Sequence, residues 1–178
     1  MDKAQLNSLM VKVQSGDEQA FTEIYNGIYK GVFSFIYTFV NDYQEAEDIL
    51  QETFIKVRKN IQSYQPNTNP SAWIFQIAKN LSLDYLRKTK RKNETYSDQM
   101  EQYLGSENKS DTKLYVHNLI NTVLKDIERQ IVILHIIGGY KHKEIATILN
   151  LPLGTVLWKY NQSIKLLNNV IKGEQNER

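Results

Sequence analysis

The residues that could carry chemistry are concentrated in one predicted helix, residues 42–61, with the sequence DYQEAEDILQETFIKVRKNI. Asp48, Gln51, Glu52 and Ile55 share one face of that helix, because they stand at positions i, i+3, i+4 and i+7. The face carries two carboxylates, an amide and one aliphatic side chain. It is either an ordinary solvated face or a docking surface for a basic partner, and helical spacing alone does not separate the two.

Other reactive groups do not form a recognisable active site. The three histidines, His117, His135 and His142, lack the spacing of metal ligands. The carboxylates of residues 42–61 occupy several sides of one helix, so a divalent ion would need ligands from elsewhere in the chain. The chain has no Cys, no phosphate-binding loop and no nucleophile motif. We therefore predict a protein that is not an enzyme and needs no metal or cofactor.

Composition favours a helical, cytoplasmic protein. The chain has 178 residues, 8 Gly, 3 Pro and no run of alternating β-branched residues, which is typical of an all-α fold. The absence of Cys fits a reducing cytoplasm. No leader peptide is evident, and no segment approaches the roughly 18 apolar residues that a membrane span needs, so membrane insertion is not expected. A net charge of +2 is too small to indicate a nucleic-acid partner by itself.

Four helices are predicted in the first half of the chain. Apolar residues recur at the helical period in each, and Asp17 is a candidate N-cap for the second. The predicted ranges are 3–14, 18–40, 43–61 and 71–91. Between the last two, residues 62–70 hold two of the three prolines and many turn-forming residues, which predicts a loop.

The fourth predicted helix ends in a basic run, residues 87–92, with five cations among six residues. Cations stabilise a helix C-terminus through the macrodipole, which is one explanation of the run. Five neighbouring charges also repel one another, which instead indicates an anionic partner. Trp73, Gln76 and Asn80 lie on the same side of this helix as the arginines of the run.

A polar, mostly acidic and aperiodic stretch at residues 93–112 predicts a flexible linker. Twenty extended residues span at most about 65 Å, which is comparable with two turns of DNA at roughly 34 Å per turn. The chain is therefore predicted to form two small helical domains, 1–92 and 113–172, with a tail at 173–178. Helices are expected in the second domain at 113–124, 127–137, 141–149 and 153–171.

Residues 141–164 have the pattern of a helix-turn-helix. Asn150, Leu151 and Pro152 form the turn, and Gly154 opens the second helix. One stripe of this second helix is predicted to be buried: Leu153, Val156, Tyr160, Ile164, Leu167 and Ile171. Four polar or aromatic side chains are predicted to point the other way: Thr155, Trp158, Lys159 and Gln162. The turn residues favour DNA binding, although similar helix pairs occur in proteins that do not bind DNA.

Two motifs together carry a family resemblance. EAEDILQETFIKV followed by SAWIFQIAKNLSLDYLRKTKR resembles region 2 of bacterial RNA polymerase sigma factors, especially the small extracytoplasmic-function (ECF) group. GDEQAFTEIYNGIY resembles the start of that region, and RQIVILHIIGGYKHKEIATILNLPLGTV resembles region 4. The similarity covers nearly the whole chain in the family order. It implies an all-α factor that binds core polymerase, gives it promoter specificity and helps to hold the DNA strands apart.

The resemblance implies roles for particular positions. Docking on the coiled coil of the largest polymerase subunit falls to Asp48, Gln51, Glu52 and Phe54, together with Ile55 on the same face. The loop 63–72 matches the segment that captures an unstacked base of the minus-ten element. Residues placed near that element are Trp73, Gln76, Asn80, Arg87, Lys88, Arg91 and Lys92. Residues placed near the minus-thirty-five element are Lys141, Lys143, Thr155, Trp158, Lys159 and Gln162. Trp73 could instead belong to the hydrophobic core.

The chain departs from the family pattern in region 4. Leu124 is followed by Lys125 where members have Leu-Pro, and Trp158 and Lys159 stand where small polar and arginine residues are usual. Lysine cannot make the two-pronged guanine contact of arginine, so an A/T-rich element is expected if the helix reads DNA. The resemblance also implies contact with the polymerase flap and an anti-sigma factor as regulator.

Two other functions remain open from the sequence. The chain could be a stand-alone helix-turn-helix regulator, which would bind duplex DNA tightly as a symmetric dimer. It could also be a protein-interaction module that keeps the fold without reading DNA. The promoter, the inducing signal and the anti-sigma partner cannot be derived from the sequence.

Overall fold

The computed structural model describes residues 1–95, 119–120 and 122–176. The helices within this part are α1 (Lys3–Gln14), α2 (Glu18–Val40), α3 (Tyr43–Lys59), α4 (Pro70–Thr95), α5 (Asp126–Ile136), α6 (His142–Leu149) and α7 (Leu153–Asn176). Residues 119–120 and 122–123 are also helical. No strand occurs among the described residues, and the predicted all-α class is confirmed. Most of the predicted linker and the start of the helix predicted at 113–124 lie outside the described residues.

Aspartate caps fix where the first three helices begin. The side chains of Asp2, Asp17 and Asp42 each accept a hydrogen bond from the backbone N–H three residues later, at 2.8, 3.0 and 2.9 Å. Each such cap contributes about 1 kcal/mol by satisfying an otherwise unpaired donor. The predicted bounds of α1 and α2 are confirmed, since both helices begin one residue after a capping aspartate.

In the first half of the chain, two predicted helix ends are wrong by a few residues. α3 ends at Lys59, and a 3-10 turn at Ile61–Ser63 follows it. α4 runs to Thr95 instead of ending at residue 91, because no Gly or Pro interrupts the chain after Pro70 until Gly105. The helix therefore extends into the segment that was predicted to be linker.

The helices α1–α4 form a bundle around one apolar core. Its most deeply buried side chains are Met10, Ile24, Val32, Phe35 and Ile74, each 0 or 1% exposed. α2 packs against α1, α3 and α4, so it is the central helix of the bundle. The helical spacing of Leu50, Thr53, Phe54 and Val57 predicts a buried stripe on α3, and all four side chains are buried against the bundle.

The helices α5–α7 form a second group with a small core of their own, which contains Ile120, Leu124, Val132, Ile133 and Leu167. This group packs directly on the bundle, so α2 contacts α5 and α4 contacts α6. No helix of the described ranges has the length and apolar character needed to cross a membrane.

The contact between the bundle and the second group centres on two aromatic rings and two glycines. The rings of Phe75 on α4 and Tyr140 meet edge to face, with centroids 5.4 Å apart. The Tyr140 hydroxyl is hydrogen bonded to Ser71, and burial raises the pKa of Tyr140 to about 12. Gly31 approaches Gly138 so closely that a Cβ on Gly31 would lie 3.2 Å from the Gly138 Cα. The sequence did not predict this contact, because it joins residues that are far apart in the chain.

Candidate protein- and nucleic-acid-binding surfaces

The predicted docking face of α3 is exposed. Asp48, Gln51, Glu52 and Ile55 all lie on the solvent side of the helix, opposite the buried stripe. Glu52 is 3.4 Å from Lys56 within the same helix, and both side chains remain about half exposed. Exposed pairs of this kind contribute little to stability, so Glu52 can exchange its helical partner for another cation.

Phe54, which the resemblance places among the docking residues, is not part of this exposed face. Its side chain is only 4% exposed. The ring packs against those of Tyr25 and Phe21, with centroids 4.8 and 6.3 Å away. Its position on the core stripe explains this burial, so Phe54 holds α3 against α2.

One side of α4 carries amide and charged groups in a row. Gln76 and Asn80 are exposed, and the Gln76 Nε2 donates a hydrogen bond of 2.8 Å to the Asn80 Oδ1. Asp84 follows one turn later and pairs with Arg87 at 2.9 Å. The helical period of the sequence already puts Asp84 on this side, and its carboxylate partly neutralises Arg87.

The basic end of α4 projects from the bundle. The side chains of Arg87, Lys88 and Arg91 are exposed. Lys92 belongs to the helix, but its side chain lies outside the described part of the chain. Because these cations extend along more than one turn, they can follow an anionic backbone.

Trp73 is partly buried at the edge of the core. Its ring packs against that of Tyr64, with centroids 5.6 Å apart. Both predicted roles of Trp73 are therefore compatible with its position, since one side of the ring packs inward while part of the residue stays accessible. The segment before α4, residues 61–69, lies beside it and contacts Asn7 and Gln14 of α1. No local sequence pattern marks these two residues, because their partners are about 50 to 60 residues away.

The helix-turn-helix is formed by α6 and α7. Asn150 ends α6 in the left-handed conformation at φ 54°, which Asn tolerates better than most residues. Pro152 and Leu153 then start α7, and the Val156 N–H bonds to the Pro152 carbonyl at 3.1 Å. The predicted turn and the start of the second helix are confirmed, but that helix runs to Asn176, five residues past its predicted end and into the predicted tail. Leu153 and Ile171, which were predicted to be buried, are 42% and 38% exposed.

The outward face of α7 is apolar at its start. Trp158 is 60% exposed and Gln162 is also exposed, whereas Thr155 is partly buried. The exposed leucines Leu153 and Leu157 lie near Trp158 along the first turns of the helix. Lys141 and Lys143 are exposed at the start of α6, so the free cations of the motif come from α6.

Lys159 points inward, and its predicted outward orientation is wrong. Its Nζ lies 3.2 Å from the Glu128 Oε1 of α5, and the two side chains are only 26% and 12% exposed. The position is next to Tyr160 on the edge of the core stripe, from which the long lysine side chain reaches α5. Leaving Glu128 unpaired would be costly, because a buried charge without a partner is strongly destabilising.

His135, His142 and Tyr160 form a cluster of rings at the base of the helix-turn-helix. The histidine rings stack with centroids 4.4 Å apart, and the His135 Nδ1 donates to the Tyr140 carbonyl at 2.9 Å. Burial, and then the neighbouring His135, lower the pKa of His142. In the described part of the chain, no three His, Asp or Glu side chains are grouped so that they could hold a metal. The cluster is therefore part of the packing of this group.

Comparison with known proteins agrees with these two groups of helices. The sigma-70 region 2 family matches residues 24–92, and the sigma-70 region 4 family matches residues 116–156. The ECF RNA polymerase sigma factor SigW of Bacillus subtilis (strain 168) is 30% identical, with 90% of this chain and 94% of SigW covered. SigM of the same organism is 32% identical over 83% of this chain and 94% of SigM.

Solved structures show the same fold. CnrH in complex with the cytosolic domain of CnrY has a TM-score of 0.67 at 18% identity, and the match covers 95% of this chain and 98% of CnrH. The sigma factor RpoE in complex with the anti-sigma factor NepR, from Bartonella quintana, has a TM-score of 0.62 at 22% identity, over 79% of this chain and 89% of RpoE.

A helical bundle followed by a helix-turn-helix group, each matching its own sigma-70 region, defines a transcription initiation factor. The chain belongs to the sigma-70 family of RNA polymerase sigma factors, in its extracytoplasmic-function group. It therefore directs transcription initiation by bacterial RNA polymerase at promoters. Sigma factors are non-catalytic initiation factors, and their general partners are core polymerase and promoter DNA.

Proposed function

We propose that the exposed face of α3 is the surface that docks on core polymerase, at the coiled coil of its largest subunit. The observation that carries this proposal is the exposure of Asp48, Gln51, Glu52 and Ile55 on a helix whose opposite side is firmly packed. Carboxylates around one aliphatic residue suit a basic helical partner. The test is co-purification of the chain with core polymerase, followed by transcription from a promoter library.

In this proposal residues 1–92 act at the minus-ten element and residues 113–172 at the minus-thirty-five element, with 93–112 as the linker. The protein works in the cytoplasm, has no enzymatic activity of its own and also contacts the polymerase flap through its second domain. An anti-sigma factor regulates it, by analogy with the complex of RpoE and the anti-sigma factor NepR. A stand-alone regulator would instead bind duplex DNA tightly without polymerase.

The minus-ten surface consists of residues 63–72 and the exposed side of α4. Trp73 offers an aromatic face for an unstacked base, and each base–aromatic stack contributes roughly 1–3 kcal/mol. Gln76 and Asn80 offer donors and acceptors for base edges. Because the two side chains already form a hydrogen bond of 2.8 Å with each other, their amide groups are held in a fixed relative position before DNA binds.

Replacing Arg87 and Lys88 together with Ala is expected to lower the salt dependence of promoter binding by the holoenzyme. Each phosphate contact that is lost should reduce the slope of log K against log salt by about one unit. Arg87 should contribute less than Lys88, because Asp84 already pairs with it. Filter binding at several salt concentrations measures the slope, and Lys12→Ala on α1 is the matched control. An unchanged slope in the double variant would remove both cations from the DNA surface.

The start of α7 is proposed to read an A/T-rich upstream element. Trp158 can pack on thymine methyl groups and Gln162 can pair with adenine. The first turn of α7 also presents free backbone N–H groups that suit a phosphate. Lys141 and Lys143 provide the cations nearby, whereas Lys159 is engaged by Glu128 and takes no part.

Replacing Trp158 with Ala is expected to relax base preference at the upstream element and to leave the minus-ten preference unchanged. The ring is largely exposed, so its loss should cost the fold little. Promoter selection with the wild type and the variant, each as holoenzyme, measures both preferences. Leu166→Ala, an exposed apolar residue farther along α7, is the control. If the upstream preferences are identical while polymerase affinity falls, Trp158 contacts protein instead of DNA.

A further inference from the structure

Two amide side chains of α1, those of Asn7 and Gln14, form hydrogen bonds with the segment before α4, residues 61–69. The Asn7 Oδ1 accepts hydrogen bonds from the Tyr64 hydroxyl at 2.7 Å and from the Asn67 N–H at 3.0 Å. The Gln14 Nε2 donates to the carbonyls of Ile61 and Tyr64 at 2.9 and 2.8 Å. These bonds link residues that are 47 to 60 positions apart, so they are tertiary contacts and not part of a local turn.

The segment needs such support because it contains little regular structure. Only the 3-10 turn at Ile61–Ser63 is regular, and Asn67 adopts a left-handed conformation with φ 65°. Asn7 and Gln14 are seven residues apart, so they lie on one face of α1 about 10 Å from each other. They therefore hold the segment at two separate points. α1 itself is fixed by the burial of Leu6 and Met10.

Tyr64 links the hydrogen bond from α1 to the ring of Trp73. Its side chain is 2% exposed, its hydroxyl is bonded to Asn7, and its ring packs against Trp73. Burial raises the pKa of Tyr64, whereas a hydrogen bond with Thr68 acts in the opposite direction. A shift of the Tyr64 ring would therefore move both the segment and the Trp73 ring.

We propose that Asn7 and Gln14 are positioning residues for minus-ten recognition, with the preformed base-capturing loop as the element they position. The inference rests on the proposed function of residues 63–72 and Trp73. A loop that is already ordered does not pay the entropy of ordering when it captures a base. The region 2 match begins at residue 24, so α1 and its two amides lie outside the matched part.

The chemistry of the four bonds gives a distinctive set of variants. Asn7 acts only as an acceptor, so Asn7→Asp keeps both bonds, whereas Asn7→Leu removes them at similar size. Gln14 acts as a donor, so Gln14→Glu would set a carboxylate against two carbonyl oxygens. The conservative acidic change is therefore expected to be tolerated at Asn7 and harmful at Gln14. Because the α1 dipole alone also disfavours an acid at its last residue, Gln14, base discrimination is the readout that separates positioning from helix stability.

The test measures binding of the reconstituted holoenzyme to a single-stranded oligonucleotide that carries the minus-ten element obtained from promoter selection. Asn7→Leu and Gln14→Glu are expected to weaken binding about tenfold and to reduce discrimination against a substituted base at the captured position. Asn7→Asp should bind within about twofold of the wild type. Affinity for core polymerase should stay unchanged in all three variants.

A second variant keeps the test decisive if Asn7→Leu does not fold. Tyr64→Phe removes only the hydroxyl and keeps the ring against Trp73, so it should reproduce part of the defect. Combining it with Asn7→Leu should add less than the sum of the two effects, because both break the same bond. Unchanged affinity and base discrimination in Tyr64→Phe and Gln14→Glu would overturn the proposal. Failure of the wild-type chain to bind core polymerase would instead overturn the proposed function.

Discussion

Replacing Glu52 with Lys is expected to weaken binding to core polymerase by at least roughly thirtyfold, since breaking an interfacial charge pair costs about 2–5 kcal/mol. The change puts a cation at the proposed docking face of α3, opposite a basic partner. The fold should not suffer, because Glu52 is exposed and its pair with Lys56 is a solvated helical pair. Titration of labelled core polymerase measures the affinity, and circular dichroism measures helical content.

Glu23→Lys is the matched control for this prediction. Glu23 is an exposed residue of α2, and its reversal changes the net charge of the chain by the same amount. If both variants bind polymerase as tightly as the wild type, docking does not use the exposed face of α3. If both are weakened equally, the net charge of the chain and not the α3 face governs the association.

Replacing Gly31 with Leu is expected to separate the second group of helices from the bundle. A Cβ at position 31 would lie 3.2 Å from the Gly138 Cα and 3.5 Å from the Tyr140 ring, so the larger side chain cannot be accommodated without a shift. Overpacking of this kind typically costs about 1–3 kcal/mol. The chain has no Cys, so two cysteines introduced at the exposed positions Asn26 and Asn168 can carry two fluorophores. Energy transfer between them should fall.

Gly27→Leu controls for the change in helix propensity. Gly27 stands one turn earlier on α2, is exposed, and would meet only the flexible Met1 side chain. It gains about the same helix propensity, close to 1 kcal/mol, without acting as a wedge. Energy transfer should therefore stay at the wild-type level in this variant. Equal transfer in both variants would mean that the Gly31 contact does not hold the two groups together.

Local patterns predicted the helices well, because their causes lie within a few residues. Asp17 caps α2 and Asn41 ends it, so both ends could be read from neighbouring residues. Positions on the edge of a stripe were harder. Lys159 lies beside core residues, and only the packing of α5 against it decides that its side chain turns inward.

Contacts between distant parts of the chain could not be predicted from local sequence patterns. In the sequence, Asn7 cannot be distinguished from other polar residues of an amphipathic helix. Only the structure shows that its Oδ1 accepts a hydrogen bond from the Tyr64 hydroxyl. The approach of Gly31 to Gly138 is similar, since a glycine within a helix has several possible reasons. The exposed docking face was predictable as a surface, whereas its partner came from the resemblance and not from helical spacing.

The Gly31–Gly138 and Phe75–Tyr140 contacts hold the bundle and the helix-turn-helix group together. In the proposed function the bundle and the helix-turn-helix group bind two separate promoter elements, and if the packed groups cannot reach both, the chain has to open first. Apparent affinity is the intrinsic affinity multiplied by the open fraction, so each 1.4 kcal/mol that favours the closed form costs about tenfold. A substitution at this contact would therefore change promoter output without altering any residue that touches DNA or polymerase. Evolution can tune the strength of such a factor at a pair of glycines, separately from its choice of promoter.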